Sequence, residues 1–124
     1  MPYSALLLDH FHHPRHAGEL ANSNAVAEAS NPICGDVMRL WLRVEHGRVA
    51  AASFKAAGCV PVIACGSWLA DWISAGRTVE EALALTPQQV ETALDGVPEA
   101  SKHAPQLAIE VLRKALGSVW TQSN

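Results

Sequence analysis

The chain has 124 residues, of which 49% are hydrophobic, and a formal net charge of −3. This length supports one hydrophobic core and does not divide comfortably into two, so we expect a single domain spanning residues 1–124. The negative charge and the lack of a Lys/Arg cluster argue against nucleic acid as a partner, because phosphate recognition needs positive charge gathered on one face.

Hydropathy and cysteine content indicate in which cellular compartment the protein lies. No apolar run approaches the roughly 20 residues that a transmembrane helix needs, so we expect no membrane span. The N-terminal stretch lacks a basic leader and reaches polar residues where a signal peptide is most apolar, so we expect a cytoplasmic protein. The three cysteines are too few for a disulfide framework. In a reducing compartment such thiols are typically ligands, nucleophiles or core residues.

An amphipathic pattern predicts a helix near the N-terminus. Apolar residues recur at helical spacing across residues 3–13, and Pro14 stops the pattern. A cluster of histidines lies in and after this helix, at His10, His12, His13 and His16. Because the segment around Pro14 is polar, we interpret these histidines as solvated surface residues rather than as a metal site.

A period of two follows and predicts an antiparallel hairpin. Residues 38–44 alternate between apolar and polar side chains, and residues 49–56 run back after a turn in which Gly47 suits a positive φ. The alternation places Trp41 on the polar face of its strand, where it is a candidate for an interface. A weaker, alanine-rich segment at residues 24–30 is predicted as a third strand.

The second half of the chain is predicted to be helical. One helix begins near Pro61 and is expected to be capped by Gly76. Short helices are predicted from Thr78, with a capping box, and near Pro87. A long amphipathic pattern follows over residues 104–119. Strands early and helices late predict an α+β fold, a small three-stranded antiparallel sheet with helices packed on one face.

The hairpin assembles a cluster of candidate metal ligands. Cys34 and Asp36 flank a glycine where the chain enters the first strand, and Cys59 follows the end of the second. Antiparallel pairing brings those strand ends together. His103, at the start of the last helix, is a candidate fourth contributor. Sulfur and nitrogen donors with a carboxylate oxygen suit zinc or iron, so these side chains are the predicted metal ligands.

Several segments carry a resemblance to a known family. They are "YSALLLDHFHHPRHAG", "CGDVMRLWLRV", "FKAAGCVPVIACGSWLADWISAG" and the "KHA" before the last helix. In order and spacing they resemble the IscU/NifU-type iron-sulfur cluster assembly scaffold family over nearly the whole chain. The resemblance implies a three-stranded sheet with helices on one side, and a surface site where a [2Fe-2S] cluster is built or a zinc ion sits. Cys34, Asp36 and Cys59 carry over directly, and His103 matches the histidine before the family's third cysteine.

The resemblance also implies a role and partners. The chain is expected to be a non-enzymatic scaffold or carrier that holds a [2Fe-2S] cluster transiently. Its expected partners are a cysteine desulfurase and apo iron-sulfur acceptor proteins. A homodimer around a shared cluster is a further prediction, since a second copy would supply additional thiolates.

The chain departs from the family at one ligand. Where the family usually has His-Cys at the start of the last helix, this sequence has His103-Ala104. A [2Fe-2S] cluster normally takes four protein ligands, mostly thiolates, so the change bears on cluster stability and sulfur acceptance. Cys65 is the candidate substitute, about one turn inside a helix that starts near Pro61. The alternative, which we favour, is a small apolar residue packed in the core.

Two other functions stay open. The first is a zinc-binding structural or regulatory domain that has lost cluster assembly, for which we expect tight zinc binding and a fall in thermal stability on chelation. The second is a thiol redox or sulfur-transfer protein that works through Cys59 and Cys65. That function needs a thiol whose pKa is depressed.

Overall fold

A computed structural model describes residues 3–123 of the chain, with side chains described through residue 118. The elements are α1 (Ala5–His12), β1 (Ala25–Asn31), β2 (Asp36–Glu45), β3 (Arg48–Ala57), α2 (Val60–Ile73), α3 (Val79–Leu83), α4 (Pro87–Ala93) and α5 (His103–Ser123). A short 3-10 turn, Glu99–Ser101, precedes α5. No helix within residues 3–123 combines the length and apolar character needed to cross a membrane.

The strands form an antiparallel sheet in the order β1-β2-β3. The alanine-rich segment predicted as a third strand is confirmed as β1, which pairs with β2 along its length. β2 and β3 are joined by the turn residues His46 and Gly47, whose φ angles of 53° and 74° are both positive. Such turns match the right-handed twist of the strands they join, which explains the close hairpin.

The helices cover one face of this sheet. α2 and α5 pack against the strands, and α1 packs against α2. Side chains from both layers form the core, among them the fully buried Leu40, Leu42, Leu69, Leu112 and Leu116. Burying each such side chain contributes roughly 1.5–3 kcal/mol. The predicted three-stranded α+β architecture with helices on one face is therefore confirmed.

Trp41, the candidate for an interface, is only 7% exposed, so little of its surface is available to a partner. The segment after α1 bonds to the outer edge of β3, where the N–H of Gly18 donates to the carbonyl of Phe54 at 2.9 Å. It then has to reach β1 at the other edge of the sheet, and Glu19 pairs with Lys55 on the face that carries Trp41. The crossing segment therefore lies over the face that strand alternation predicts to be open.

Two local predictions at α1 and α2 are wrong. His10 is buried rather than solvated, and its Nδ1 lies 2.8 Å from Ser67 Oγ, which accepts the backbone N–H of Arg15 at 2.8 Å. The reason is that α1 packs on α2, which gives the ring a polar partner. Gly76 does not cap α2, because the helix ends at Ser74 in a right-handed conformation that needs no glycine.

The short helices begin as predicted. Thr78 accepts the N–H of Glu81 at 3.0 Å, and its own N–H donates to the Glu81 carboxylate at 2.9 Å. This reciprocal pair is a capping box, which satisfies backbone donors that have no partner inside the helix. α4 starts at Pro87 with Thr86 and Gln89 in the same arrangement.

Candidate metal centre

Three chain segments meet at one end of the sheet. The ladder between β1 and β2 ends with Asn31 opposite Asp36, so the loop that carries Cys34 lies at this end. Val37 pairs with Ala57 at the end of β3, which brings the following residues to the same place. Cys59 is the N-cap of α2, and His103 is the first residue of α5.

Asn31 organises the loop that carries Cys34. Its side-chain Oδ1 accepts the backbone N–H groups of Ile33 at 3.1 Å and Cys34 at 3.4 Å. Its carbonyl oxygen accepts the N–H of Gly35 at 2.7 Å, and Gly35 has a φ of 75° that suits glycine. The loop is therefore held by its own hydrogen bonds, and Cys34 stays exposed on it.

Asp36 is held by the turn that precedes α2. The residue is 2% exposed, and its Oδ1 accepts the backbone N–H of Cys59 at 3.2 Å. Gly58 lies against this carboxylate with a φ of 150°, and a Cβ there would overlap Oδ1 and come within 2.8 Å of Cγ. Glycine is thus required at position 58 both by the backbone conformation and by the close approach of Asp36.

The second oxygen of Asp36 lies against the imidazole of His103. Oδ2 is buried, and Nε2 of His103 is 2.9 Å away, although the contact lacks the geometry of a hydrogen bond. Burial of a carboxylate oxygen carries a desolvation cost that a nearby positive charge offsets. His103 Nε2 also lies 3.7 Å from the Sγ of Cys59, so the imidazole stands between the carboxylate and this thiol.

The donor atoms are close enough to share one ion. Ligand atoms of Cys34, Asp36 and His103 all lie within 4.8 Å of one another. In a tetrahedral site with bonds of about 2.0–2.3 Å, neighbouring donors are about 3–4 Å apart. A small contraction therefore brings these atoms into bonding range. Thiolate, imidazole and carboxylate together suit zinc or iron rather than calcium or magnesium.

The thiols of this region differ in accessibility. Cys34 is exposed, and Cys59 is half-buried, where burial raises the pKa of its thiol and the neighbouring Asp36 and Cys34 add to the effect. Cys65 is fully buried in the core, and burial raises its pKa as well. A raised pKa at Cys59 and Cys65 is the opposite of what a redox or sulfur-transfer pair needs.

Of the predicted ligands, the structure brings donor atoms of Cys34, Asp36 and His103 within 4.8 Å of one another. The Sγ of Cys59 lies beside this group, 3.7 Å from His103 Nε2. Cys65 lies inside α2 among core residues, where packing accounts for it, and its role as a substitute ligand gains no geometric support. Ala104 is also buried, beside His103. Sequence reasoning missed Asn31 and Gly58 as supports of the site. An asparagine three residues before Cys34 is the usual signal of a side-chain turn.

Lys102 forms an ion pair at the edge of this region. Its ammonium group pairs with the carboxylate of Glu91 in α4, which ties the start of α5 to that helix. The hydrogen bond to Glu91 raises the pKa of Lys102, which favours the charged form of the lysine. The contact helps to fix the residue that follows, His103.

The fold and this cluster of donors define a small α+β domain with a candidate metal site at one end of its sheet. A family model described as the NifU-like N terminal domain matches residues 2–123. The chain therefore belongs to the NifU-like N-terminal domain family, as the resemblance predicts.

Named relatives and solved structures agree with this assignment. The chain is 37% identical over 114 residues to "Iron-sulfur cluster assembly scaffold protein IscU 1" of Archaeoglobus fulgidus, covering 92% of this chain and 74% of that protein. It is 35% identical over 120 residues to "Iron-sulfur cluster assembly scaffold protein IscU" of Azotobacter vinelandii, covering 94% and 92%. The crystal structure of a NifU-like protein (N-terminal) from Brucella abortus superposes with a TM-score of 0.82 at 18% identity, over 98% and 96% of the chains. At that identity the structural likeness supports the fold.

Proposed function

We propose that this chain is an iron-sulfur cluster assembly scaffold that builds a cluster on Cys34, Asp36, Cys59 and His103 and passes it to apo-proteins. The observation that carries the proposal is that donor atoms of Cys34, Asp36 and His103 all lie within 4.8 Å of one another at one end of the sheet. Two relatives that bear the name of iron-sulfur cluster assembly scaffold are 37% and 35% identical to this chain.

The donor set suits a cargo that must leave again. Thiolates hold iron-sulfur clusters strongly, whereas carboxylate oxygen is a harder and weaker ligand for such metals. Here Cys34 and Cys59 supply the thiolates, while Asp36 and His103 complete the set. We infer a [2Fe-2S] cluster held less tightly than in an all-cysteine site, supplied with sulfur by a cysteine desulfurase and delivered to apo iron-sulfur acceptors.

Transfer to an acceptor tests this function. The chain is loaded anaerobically with iron and sulfide, separated from free ions, and mixed with an apo-ferredoxin whose cluster is followed by circular dichroism. We expect the ferredoxin to gain its cluster faster than from the same amounts of free iron and sulfide. Equal rates from the loaded chain and from the free ions would contradict the proposal.

A zinc-binding domain is the second candidate. The observation in its favour is that Ala104 stands where the family usually has a third cysteine, while the donors that remain lie close enough for a single ion. This candidate predicts tight zinc binding, no cluster after loading with iron and sulfide, and a fall in thermal stability when zinc is chelated.

A further inference from the structure

Ile33 is the most exposed large apolar side chain among the residues that the structure describes. It is 93% exposed, whereas Val26, a comparable residue on β1, is 45% exposed. Ile33 directly precedes Cys34, whose side chain is one of the donors of the metal centre. An isoleucine this exposed, next to the exposed thiol of Cys34, has no role in the core of this chain.

The loop that presents Ile33 is preorganised. The N–H of Ile33 is bonded to Asn31 Oδ1, and the N–H groups of Cys34 and Gly35 are also bonded to Asn31. The side chain is therefore carried on a backbone that is already fixed. A partner that covers it does not have to order the loop, which removes part of the entropic cost of association.

We propose that Ile33 is a contact residue for the protein that donates sulfur to Cys34, a proposal that rests on the scaffold function above. Of the three cysteines, Cys34 alone is exposed. A sulfur atom carried on a protein has to come into bonding contact with Cys34 Sγ, and consecutive Cα atoms are only about 3.8 Å apart. A protein that brings sulfur to this thiol therefore docks within reach of Ile33.

The transfer step is balanced without an added oxidant. The thiolate of Cys34 attacks the terminal sulfur of the donor's cysteine persulfide, and a new S–S bond forms at Cys34. The S–S bond in the donor breaks, and its electron pair leaves on the donor's thiolate. The products are a persulfide on Cys34 and a free thiolate on the donor, so no net oxidation or reduction occurs.

Because the Ile33 side chain is apolar, we expect the donor protein to have an apolar pocket next to its persulfide. Burying an isoleucine side chain completely corresponds to about a 10- to 100-fold gain in affinity. We expect this gain to appear in the rate at low donor concentration, where encounter and docking limit transfer.

The test compares Ile33→Ser with the matched control Val26→Ser. A persulfide-loaded cysteine desulfurase is mixed with each protein, and the sulfur added to Cys34 is followed by mass spectrometry. Cysteine persulfide, a small donor that needs no docking, is used in parallel. We expect Ile33→Ser to slow transfer from the enzyme by about 10-fold or more. Transfer from cysteine persulfide, and both rates in Val26→Ser, stay at the wild-type value.

Other results would contradict the proposed contact between Ile33 and the sulfur donor. Wild-type rates in Ile33→Ser, equal slowing in Val26→Ser, or slowing by Ile33→Ser with cysteine persulfide as well would each exclude a specific docking role. If the wild type dimerises in sedimentation velocity and Ile33→Ser does not, the occupant is a second copy and the proposal is wrong. Loading each variant with iron and sulfide tells the docking contact apart from the scaffold function. If only the contact is wrong, the cluster still forms; if the scaffold function is wrong, it does not.

Discussion

Gly58 and Asp36 touch at a point where only a hydrogen atom fits between them. A Cβ on Gly58 would overlap Asp36 Oδ1, and the φ of 150° at Gly58 disfavours any side chain. The turn before α2 thus positions the carboxylate through the N–H of Cys59 and limits its movement through Gly58. The ligand function of Asp36 depends on a residue that does not itself bind metal.

Replacing Gly58 tests this dependence. In Gly58→Ala the new methyl group displaces the Asp36 carboxylate, so we expect the affinity for iron or zinc to fall at least about 10-fold, equivalent to 1.4 kcal/mol. Gly117→Ala is the control, since a Cβ there meets nothing within 4 Å. Competition with a chelator measures the affinity. Equal affinities in both variants would show that the position of Asp36 does not matter for binding.

Asn31 is expected to act through the loop rather than as a ligand. Asn31→Ala removes the acceptor for the N–H groups of Ile33 and Cys34, and each lost hydrogen bond costs roughly 0.5–1.5 kcal/mol. We expect weaker metal binding and faster alkylation of Cys34, because the loop no longer holds the thiol in place.

Asn31→Asp provides the matched comparison, since it keeps an oxygen in the Oδ1 position. We expect its metal affinity and alkylation rate to lie near those of the wild type. If Asn31→Asp behaves like Asn31→Ala, the side-chain acceptor is not what organises the loop.

Ala104 offers a gain of function. Ala104→Cys places a third thiolate beside His103, and thiolates hold iron-sulfur clusters strongly. Ala104 is buried, so the larger side chain costs about 1–3 kcal/mol if the surroundings do not adjust. We expect a cluster that survives longer under challenge with a chelator, measured from the decay of its visible absorption.

Ala108→Cys controls for the added thiol, because Ala108 is a buried alanine one turn further along α5. A lifetime unchanged in Ala104→Cys, or lengthened equally in Ala108→Cys, would show that position 104 does not face the cluster.

His10 predicts how stability depends on pH. Burial, together with the positive charge of Arg15, lowers the pKa of His10, although Asp71 and Asp9 oppose this. The unfolded chain then binds the proton more readily than the folded one. The contribution of neutral His10 to the free energy of unfolding is therefore complete above the unfolded-state pKa of about 6.5. It is lost as the pH falls from that value through the lower folded-state pKa.

His10→Asn keeps a hydrogen-bonding group near Ser67 but does not titrate. We expect its stability to fall less than that of the wild type between about pH 7 and 5, measured by urea unfolding. His12→Asn, on the exposed side of α1, is the control and should follow the wild type. A wild-type pH profile in His10→Asn would contradict the assignment.

The sequence predicted those parts of the site that follow from local pattern. The alternation in β2 and β3, with the tight turn between them, determines that Val37 pairs with Ala57. This pairing brings Asp36 and Cys59 together, so strand periodicity alone was enough to group these candidate ligands. The helix starts at Thr78 and Pro87 likewise depend on residues next to each other in the chain.

What the sequence did not predict depends on contacts between distant segments. Trp41 is buried although it lies on the polar face of its strand, with the guanidinium of Arg39 5.7 Å from the ring centroid. His10 packs against another helix, where Ser67 gives it a polar partner. The fit of Gly58 against Asp36 involves two residues far apart in the chain. Periodicity shows which face of an element is apolar, but it does not show what covers the other face.

In the proposed function, the thiolates of Cys34 and Cys59 hold the cluster. The most direct test is anaerobic loading with iron and sulfide, followed by visible absorption and metal analysis, of the wild type and of Cys34→Ala, Cys59→Ala and Cys65→Ala. We expect the wild type and Cys65→Ala to form a cluster, and the other variants to lose it. A cluster that forms equally well in Cys34→Ala and Cys59→Ala would contradict the site described here.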